Sequence, residues 1–224
     1  MSQLTRFAIG ITIQRLFSSQ IYKGWQLFHV SAVLILVMTS LAVAMQPDLL
    51  EGLRSAIRAT ARSSFVLFIA AFTASAFAVL TPSPFTKALV RERRFIGLAF
   101  AFSHFVHAVL IYFYGQLHTG FWPARSVIDN TPGTLAYVFI VLMAITSFKT
   151  PAKLMGPKAW KRLHSIGMWI IVAVFAFANF KRIPMSDWYL LPFGIICAAV
   201  AIRLVGKLAQ ANRRSQTELT HRSG

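Results

Sequence analysis

The sequence predicts an all-α integral membrane protein, a bundle of six transmembrane helices with both termini in the cytoplasm. Of its 224 residues, 56% are hydrophobic and 13% are charged, whereas a soluble domain is about a quarter charged. The apolar residues form runs of roughly 18 or more, the length that crosses a bilayer. The basic residues, which give a net charge of +17, gather between alternate runs.

Each predicted span is an apolar run bounded by polar or helix-breaking residues. The second ends where Pro82 follows Thr81, the fourth is shorter and begins near Pro132, and the fifth opens with a polar turn. In chain order the predicted spans are Trp25–Met45, Ser63–Leu80, Phe95–Tyr114, Thr134–Phe148, Ala159–Phe180 and Trp188–Leu204.

The orientation follows from Lys and Arg. Of the 23, 17 lie in or beside the N-terminus, the second-to-third loop, the fourth-to-fifth loop and the tail. Because cytoplasmic loops are enriched in these residues, we expect a multi-pass protein of the inner membrane. It divides into a cytoplasmic segment (1–24), one six-helix domain (25–205) and a basic, disordered cytoplasmic tail (206–224). Ala-Val-Ala at 42–44 resembles a signal-peptidase site. The apolar run before it, and the basic region before that run, are both long for a signal peptide.

Composition excludes several classes of protein. The positive charge could indicate a nucleic-acid partner. Because apolar runs separate the charges, we expect membrane lipid to be the partner and not nucleic acid. A single cysteine, Cys197, rules out disulfides, cysteine-based metal sites and c-type haem attachment. There is no Gly-x-Gly, so a Rossmann domain and a phosphate loop are absent and no motif supports FMN. The six acidic residues lie outside the predicted spans, which argues against a cation-coupled transporter.

Four histidines lie in the predicted spans. His29 is early in the first, His104 and His107 share one face of the third, and His164 begins the fifth. Such histidines can simply hydrogen-bond neighbours, but intramembrane ionisable residues are functional by default. Histidines on separate helices can complete the axial positions of a b-type haem iron. Zinc is the weaker alternative, because no carboxylate or thiolate lies at that depth.

Spacing leaves the pairing of these histidines open. At 1.5 Å per residue, His164 lies about 8 Å above the inner end of its helix, His104 about 14 Å and His107 about 18 Å. Similar depth favours His104, or even His29, as the partner of His164. Basic residues near the inner end are candidates to pair with haem propionates, although the positive-inside bias accounts for most of them. They are Arg93, Arg94, Lys158, Lys161 and Arg162.

Two stretches resemble the ferric-reductase-like transmembrane domain family, and within it the MsrQ (YedZ) type. "RRFIGLAFAFSHFVHAVL", residues 93–110, has the family's basic pair, Gly-Leu and later histidine, which His107 matches. "TSFKTPAKLMGPKAWKRLHSIGMW", residues 146–169, has the Thr-Ser, the short basic loop, the Gly and the Trp-x-x-Leu-His, so Trp160 and His164 match. The resemblance implies haem b, one or two, with His107 and His164 as axial ligands.

The MsrQ type is the haem-binding membrane subunit that serves a periplasmic methionine sulfoxide reductase. The resemblance therefore implies an electron relay with no catalytic residue of its own. A cytoplasmic flavin reductase would donate electrons, and a periplasmic oxidoreductase, ferric iron or oxygen would accept them. The family often has a second histidine thirteen residues after the first, where this chain has Phe177, which weakens the case for a second haem. The alternative is a non-redox membrane protein, such as a small transporter or an assembly factor.

Overall fold

The computed structural model describes residues 23–123 and 126–223, and in these ranges it contains helices and no strand. The all-α class is confirmed for this part of the chain. The predicted segment 1–24 lies almost wholly outside the described residues. Two short 3₁₀ helices, Ile183–Met185 and Asp187–Tyr189, precede the last α-helix. The α-helices are α1 (Trp25–Ala44), α2 (Leu49–Leu80), α3 (Pro84–Leu117), α4 (Val127–Ile145), α5 (Lys149–Met155), α6 (Pro157–Phe180) and α7 (Leu190–Ser223).

Five helical segments between residues 23 and 223 are long and apolar enough to cross a membrane. They correspond to α1, α2, α3, α6 and α7. The predicted fourth span is divided, because α4 and α5 meet at a bend of 104° and make a sixth crossing only if the pair is one broken span. The bend follows from extended backbone at Phe148, with φ −87° and ψ 150°. The protein is therefore multi-pass, while the count of six stays a prediction.

Local sequence signals set the starts of the two helices that carry the candidate ligands. Helix α3 opens with a capping box, in which Ser83 and Thr86 each satisfy the other's backbone N–H. Helix α6 follows Gly156, whose φ of 80° is a conformation that favours glycine. Pro157 then occupies the first turn, where its missing N–H has no cost. These signals place His164 two turns inside α6.

Helix α2 is the centre of the bundle and packs against α1, α3 and α7. Its buried Phe68 and Phe72 form the main core with Phe100 of α3 and Ile171 of α6. Close approach of α7 depends on Gly206, because a Cβ there would lie 2.7 Å from the Cβ of Ala76. Contacts between small residues of this kind hold helices together where lipid replaces water.

The tail differs from the prediction. Helix α7 continues to Ser223, so residues 206–223, which the sequence predicts to be disordered, are helical. No proline or glycine interrupts residues 207–223, and Lys, Leu, Ala, Gln, Arg and Glu in this stretch are good helix formers. A polar composition alone does not end a helix that begins in the membrane.

Candidate functional site

A cavity of about 710 Å³ opens between α2, α3, α4, α6 and α7, within the size range of cofactor sites. Its apolar walls include Phe68, Phe100, Ile140 and Met168. Its basic residues lie early in α3, α5 and α6 and near the middle of α7, so they gather at one end. None of the described lining residues is acidic. The basic ones are Arg91, Arg93, Arg94, Lys149, Lys161, Arg203 and Lys207.

His164 lines this cavity and is held by two residues of the matched Thr-Ser and Trp-x-x-Leu-His stretches. The Trp160 ring lies 4.3 Å from the His164 ring, and its Nε1–H donates to the Thr146 carbonyl oxygen at 2.8 Å. The Thr146 hydroxyl donates to the Leu142 carbonyl oxygen at 2.7 Å and lies 3.0 Å from His164 Nε2. This contact with the Thr146 hydroxyl orients the His164 ring.

His107 is oriented by α2. Its Nδ1 lies 3.1 Å from the Ile57 carbonyl oxygen and 3.0 Å from the Thr60 hydroxyl. Since Thr60 donates its proton to the Ala56 carbonyl oxygen at 2.8 Å, His107 Nδ1–H is the donor and Nε2 keeps its lone pair. A ring nitrogen fixed on backbone while the other is free is the arrangement of metal-ligating histidines.

His104 lies beside His107, with ring centroids 5.4 Å apart. Tyr137 of α4 packs 4.9 Å from the His104 ring, and His104 Nδ1 is buried with no hydrogen-bond partner among the described residues. The His104 ring also lies 6.1 Å from Phe175. Phe175 is eleven positions beyond His164 on α6, about 16 Å along the helix axis. The structure therefore places His104 and His164 at different depths.

Comparison with known proteins identifies the family of this chain. The sequence profile described as "Ferric reductase like transmembrane component" matches residues 57–175, more than half of the chain. The chain belongs to this family. No curated protein and no solved structure gives a significant match.

The ferric-reductase-like region contains most of the predicted site. The structure brings Arg93, Arg94, Trp160 and His164 to the cavity. The side chain of Arg162, in contrast, is not among the lining residues. His104 and His107 form a second group on α3, outside that lining.

His29 lies outside the family match and outside the cavity lining. It is exposed on α1, with its ring 6.0 Å from that of Trp25. Among the described residues no group of three or more His, Cys, Asp or Glu is placed to hold a metal ion, so the zinc alternative gains no support there.

The sequence did not single out three residues that belong to the cavity lining or to the pair of histidines on α3. Thr60 and Tyr137 contact the α3 histidines, and Arg203 lines the cavity from α7. A signal for Arg203 was available, because a cation in the last turn of a predicted span is as unusual as a histidine. Thr60 and Tyr137 carry no such signal, since hydroxyl residues are common in membrane helices.

The residues at the cavity fit a haem. An imidazole stands in an apolar wall, and cations stand at one end. Arg94 Nε is buried without a partner among the described residues, which suits a carboxylate that arrives with a ligand. A Cβ added at Gly97 of the cavity wall would meet nothing within 4 Å, so open space adjoins the backbone there.

Proposed function

We propose that this member of the ferric-reductase-like family carries electrons across the membrane by means of haem b. The observation that carries the proposal is the cavity, in which His164 stands in an apolar wall near a basic end. When bound, haem b supplies one-electron chemistry at its iron. The chain's own residues would bind and orient the cofactor.

Around His164 the chain would bind and orient the cofactor. Thr146 and Trp160 hold the imidazole in one orientation, and His164 is the candidate ligand. Arg94 lies near this wall, with its guanidinium 6.0 Å from the Phe148 ring, and Lys161 lies on α6 one turn before His164. Both are candidates to pair with propionates. The apolar walls exclude water, which strengthens these charge-assisted bonds.

His107 marks a second level, one turn beyond His104 and about four turns further across the membrane than His164. Its Nδ1–H bond to the Ile57 carbonyl oxygen supports a role as a haem ligand at this level, with His104 as the alternative. Because His107 and His164 lie at different depths, we propose that they would hold haem at two positions and not at one. Two levels would divide the crossing into shorter steps.

The proposed partners follow from orientation and from the resemblance to the MsrQ type. With both termini in the cytoplasm of an inner-membrane protein, the cavity faces the side from which a cytoplasmic flavin reductase would deliver electrons. The α3 histidines lie toward the opposite side, where a periplasmic acceptor would be reached. A periplasmic methionine sulfoxide reductase is the acceptor that the MsrQ resemblance implies.

An absorption spectrum of variants tests the proposal. Purified wild type should show a Soret band, and His164→Ala should lose or alter the component that this residue ligates. His29→Ala is the matched control, because this histidine is exposed and does not line the cavity. An unchanged spectrum in His164→Ala removes this residue from the site. Protein without haem, even when expressed with a haem precursor, would favour the non-redox transporter or assembly factor.

A further inference from the structure

The α7 side of the cavity carries two cations in fixed positions. Arg203 and Lys207 are one turn apart on the same face of α7, and both line the cavity. Arg203 Nη1 donates to the Phe72 carbonyl oxygen, and its guanidinium lies 4.3 Å from the Phe72 ring and 5.8 Å from the Trp169 ring. Lys207 Nζ lies 5.3 Å from the Trp169 ring. Contacts with aromatic faces therefore preorganise both charges.

These cations have no anionic partner in the described ranges of the chain. Arg203 Nε is buried without a hydrogen bond, and the nearby Arg93 donates to a neutral hydroxyl, Ser75 Oγ, at 3.1 Å. The two ion pairs found there, Arg54–Glu51 and Arg91–Glu92, involve neither Arg203 nor Lys207. A group of like charges with an unsatisfied donor at a membrane edge is an anion site.

The surface beside these cations faces lipid. Leu204 and Leu208, each one position beyond a cation on α7, are 47% and 65% exposed. Trp169, whose ring lies near both cations, adds an aromatic surface. An anion bound here would therefore have apolar surface next to it. The acyl chains of a phospholipid can pack against that surface, whereas a free phosphate ion has no apolar part to do so.

We propose that Arg203 and Lys207, with Arg93 beside them, bind the phosphate of an anionic phospholipid whose acyl chains run along Leu204 and Leu208. Basic pockets between membrane helices recognise such head groups. These cations lie on the α7 side of the same cavity that His164, Arg94 and Lys161 line, and the lipid proposal does not depend on haem. Its chemistry is a phosphodiester held by a planar guanidinium, an ammonium and adjoining apolar surface.

The test uses the full chain, purified in detergent and stripped of lipid, with phosphatidylglycerol as the probe. Binding is measured by native mass spectrometry and by the shift in melting temperature. Phosphatidylcholine with the same acyl chains and inorganic phosphate are the comparison ligands. We expect wild type to be stabilised by phosphatidylglycerol and much less by either comparison ligand.

Variants locate the site. The double substitution Arg203→Gln with Lys207→Gln should weaken phosphatidylglycerol binding about thirtyfold, because each cation near a lipid surface contributes about a fivefold gain. Lys153→Gln with Lys158→Gln is the matched control, since it makes the same charge change at exposed residues outside the cavity lining. If the Arg203 change prevents folding, Lys207→Gln alone alters an exposed side chain and should weaken binding about fivefold.

Three results would overturn the lipid site. Equal loss of binding in the test and control doubles would mean that only net charge matters. Equal stabilisation by inorganic phosphate and by phosphatidylglycerol would mean a free-anion site. A fall in haem content with unchanged lipid binding in the test double would assign these cations to propionates.

Discussion

His164 Nε2 lies 3.0 Å from Thr146 Oγ1, and the Thr146 proton is directed to the Leu142 carbonyl oxygen at 2.7 Å. This contact orients the His164 ring. It also joins α6 to the end of α4, where the chain bends, so the imidazole is held between two helices. Under the proposed function His164 is a haem ligand and Thr146 is the partner that orients it, and such partners matter nearly as much as the ligand itself.

The first prediction concerns that hydroxyl. Thr146→Val keeps the shape of the side chain but removes the hydroxyl, so the His164 ring loses the hydrogen bond that orients it. We expect haem affinity to fall about 10- to 100-fold, the usual cost of losing such a partner. Titration of haem into the apoprotein measures the change. Thr146→Ser retains the hydroxyl and serves as the control, and equal affinity in all three proteins would contradict the role of Thr146.

The second prediction concerns the histidine that the family often has at position 177. Phe177 is 54% exposed and lies two residues beyond Phe175, which contacts His104. Phe177→His would add an imidazole near the depth of the α3 histidines. We expect a larger low-spin component with sharp reduced α-bands. Phe180→His, at another exposed position on α6, is the control. The two-level arrangement is wrong if both variants give the wild-type spectrum.

The fold was predictable where apolar runs end at strong signals. Thr81-Pro82 was expected to end the second span, and α2 ends at Leu80 as predicted. The start of α2 was not predictable, because it lies at Leu49 and not at Ser63. Residues 49–62 include three arginines, and hydropathy does not detect a helix that continues beyond the membrane. The bend after α4 was not predictable either, because no proline or glycine stands at residues 146–148 to mark it.

The candidate site was predictable in its residues but not in its arrangement. Intramembrane position pointed to four histidines, and the family resemblance selected His107 and His164 among them. Their relative depths depend on how far α3 and α6 are shifted along each other. Counting residues from the helix ends does not reveal that shift. Tyr137 and Thr60 could not be found from the sequence, because only packing of α4 and α2 against α3 gives them a role.

The third prediction uses the open space at Gly97. A leucine there would project into the cavity without meeting other atoms within 4 Å of its Cβ. Because glycine is a poor helix former, we expect Gly97→Leu to fold at least as well as wild type and to take up less haem. Gly194→Leu is the matched control, since a Cβ at Gly194 also meets nothing within 4 Å and the residue does not line the cavity. Full haem loading in Gly97→Leu would place the cofactor elsewhere.

The fourth prediction concerns orientation. Because 17 of the 23 Lys and Arg residues lie on one predicted side, both termini should be cytoplasmic. A C-terminal reporter that works only in the cytoplasm should be active, and one that needs the periplasm should be inactive. The reverse pattern would move the basic cavity to the outside and would remove the proposed access of a cytoplasmic reductase.

The last prediction is that the protein relays electrons and depends on a separate flavoprotein to receive them. The chain has no glycine-rich nucleotide fingerprint, and the longest connection between described helices, residues 118–126, is too short for a catalytic domain. Haem in the purified protein should therefore be reduced by dithionite at once, and by NAD(P)H only after a flavin reductase is added. An acceptor on the other side should then reoxidise it in reconstituted vesicles. His29→Ala should behave as wild type, while His107→Ala should slow reoxidation. Rapid reduction by NAD(P)H alone would contradict the relay, because it would require a nucleotide site in this chain.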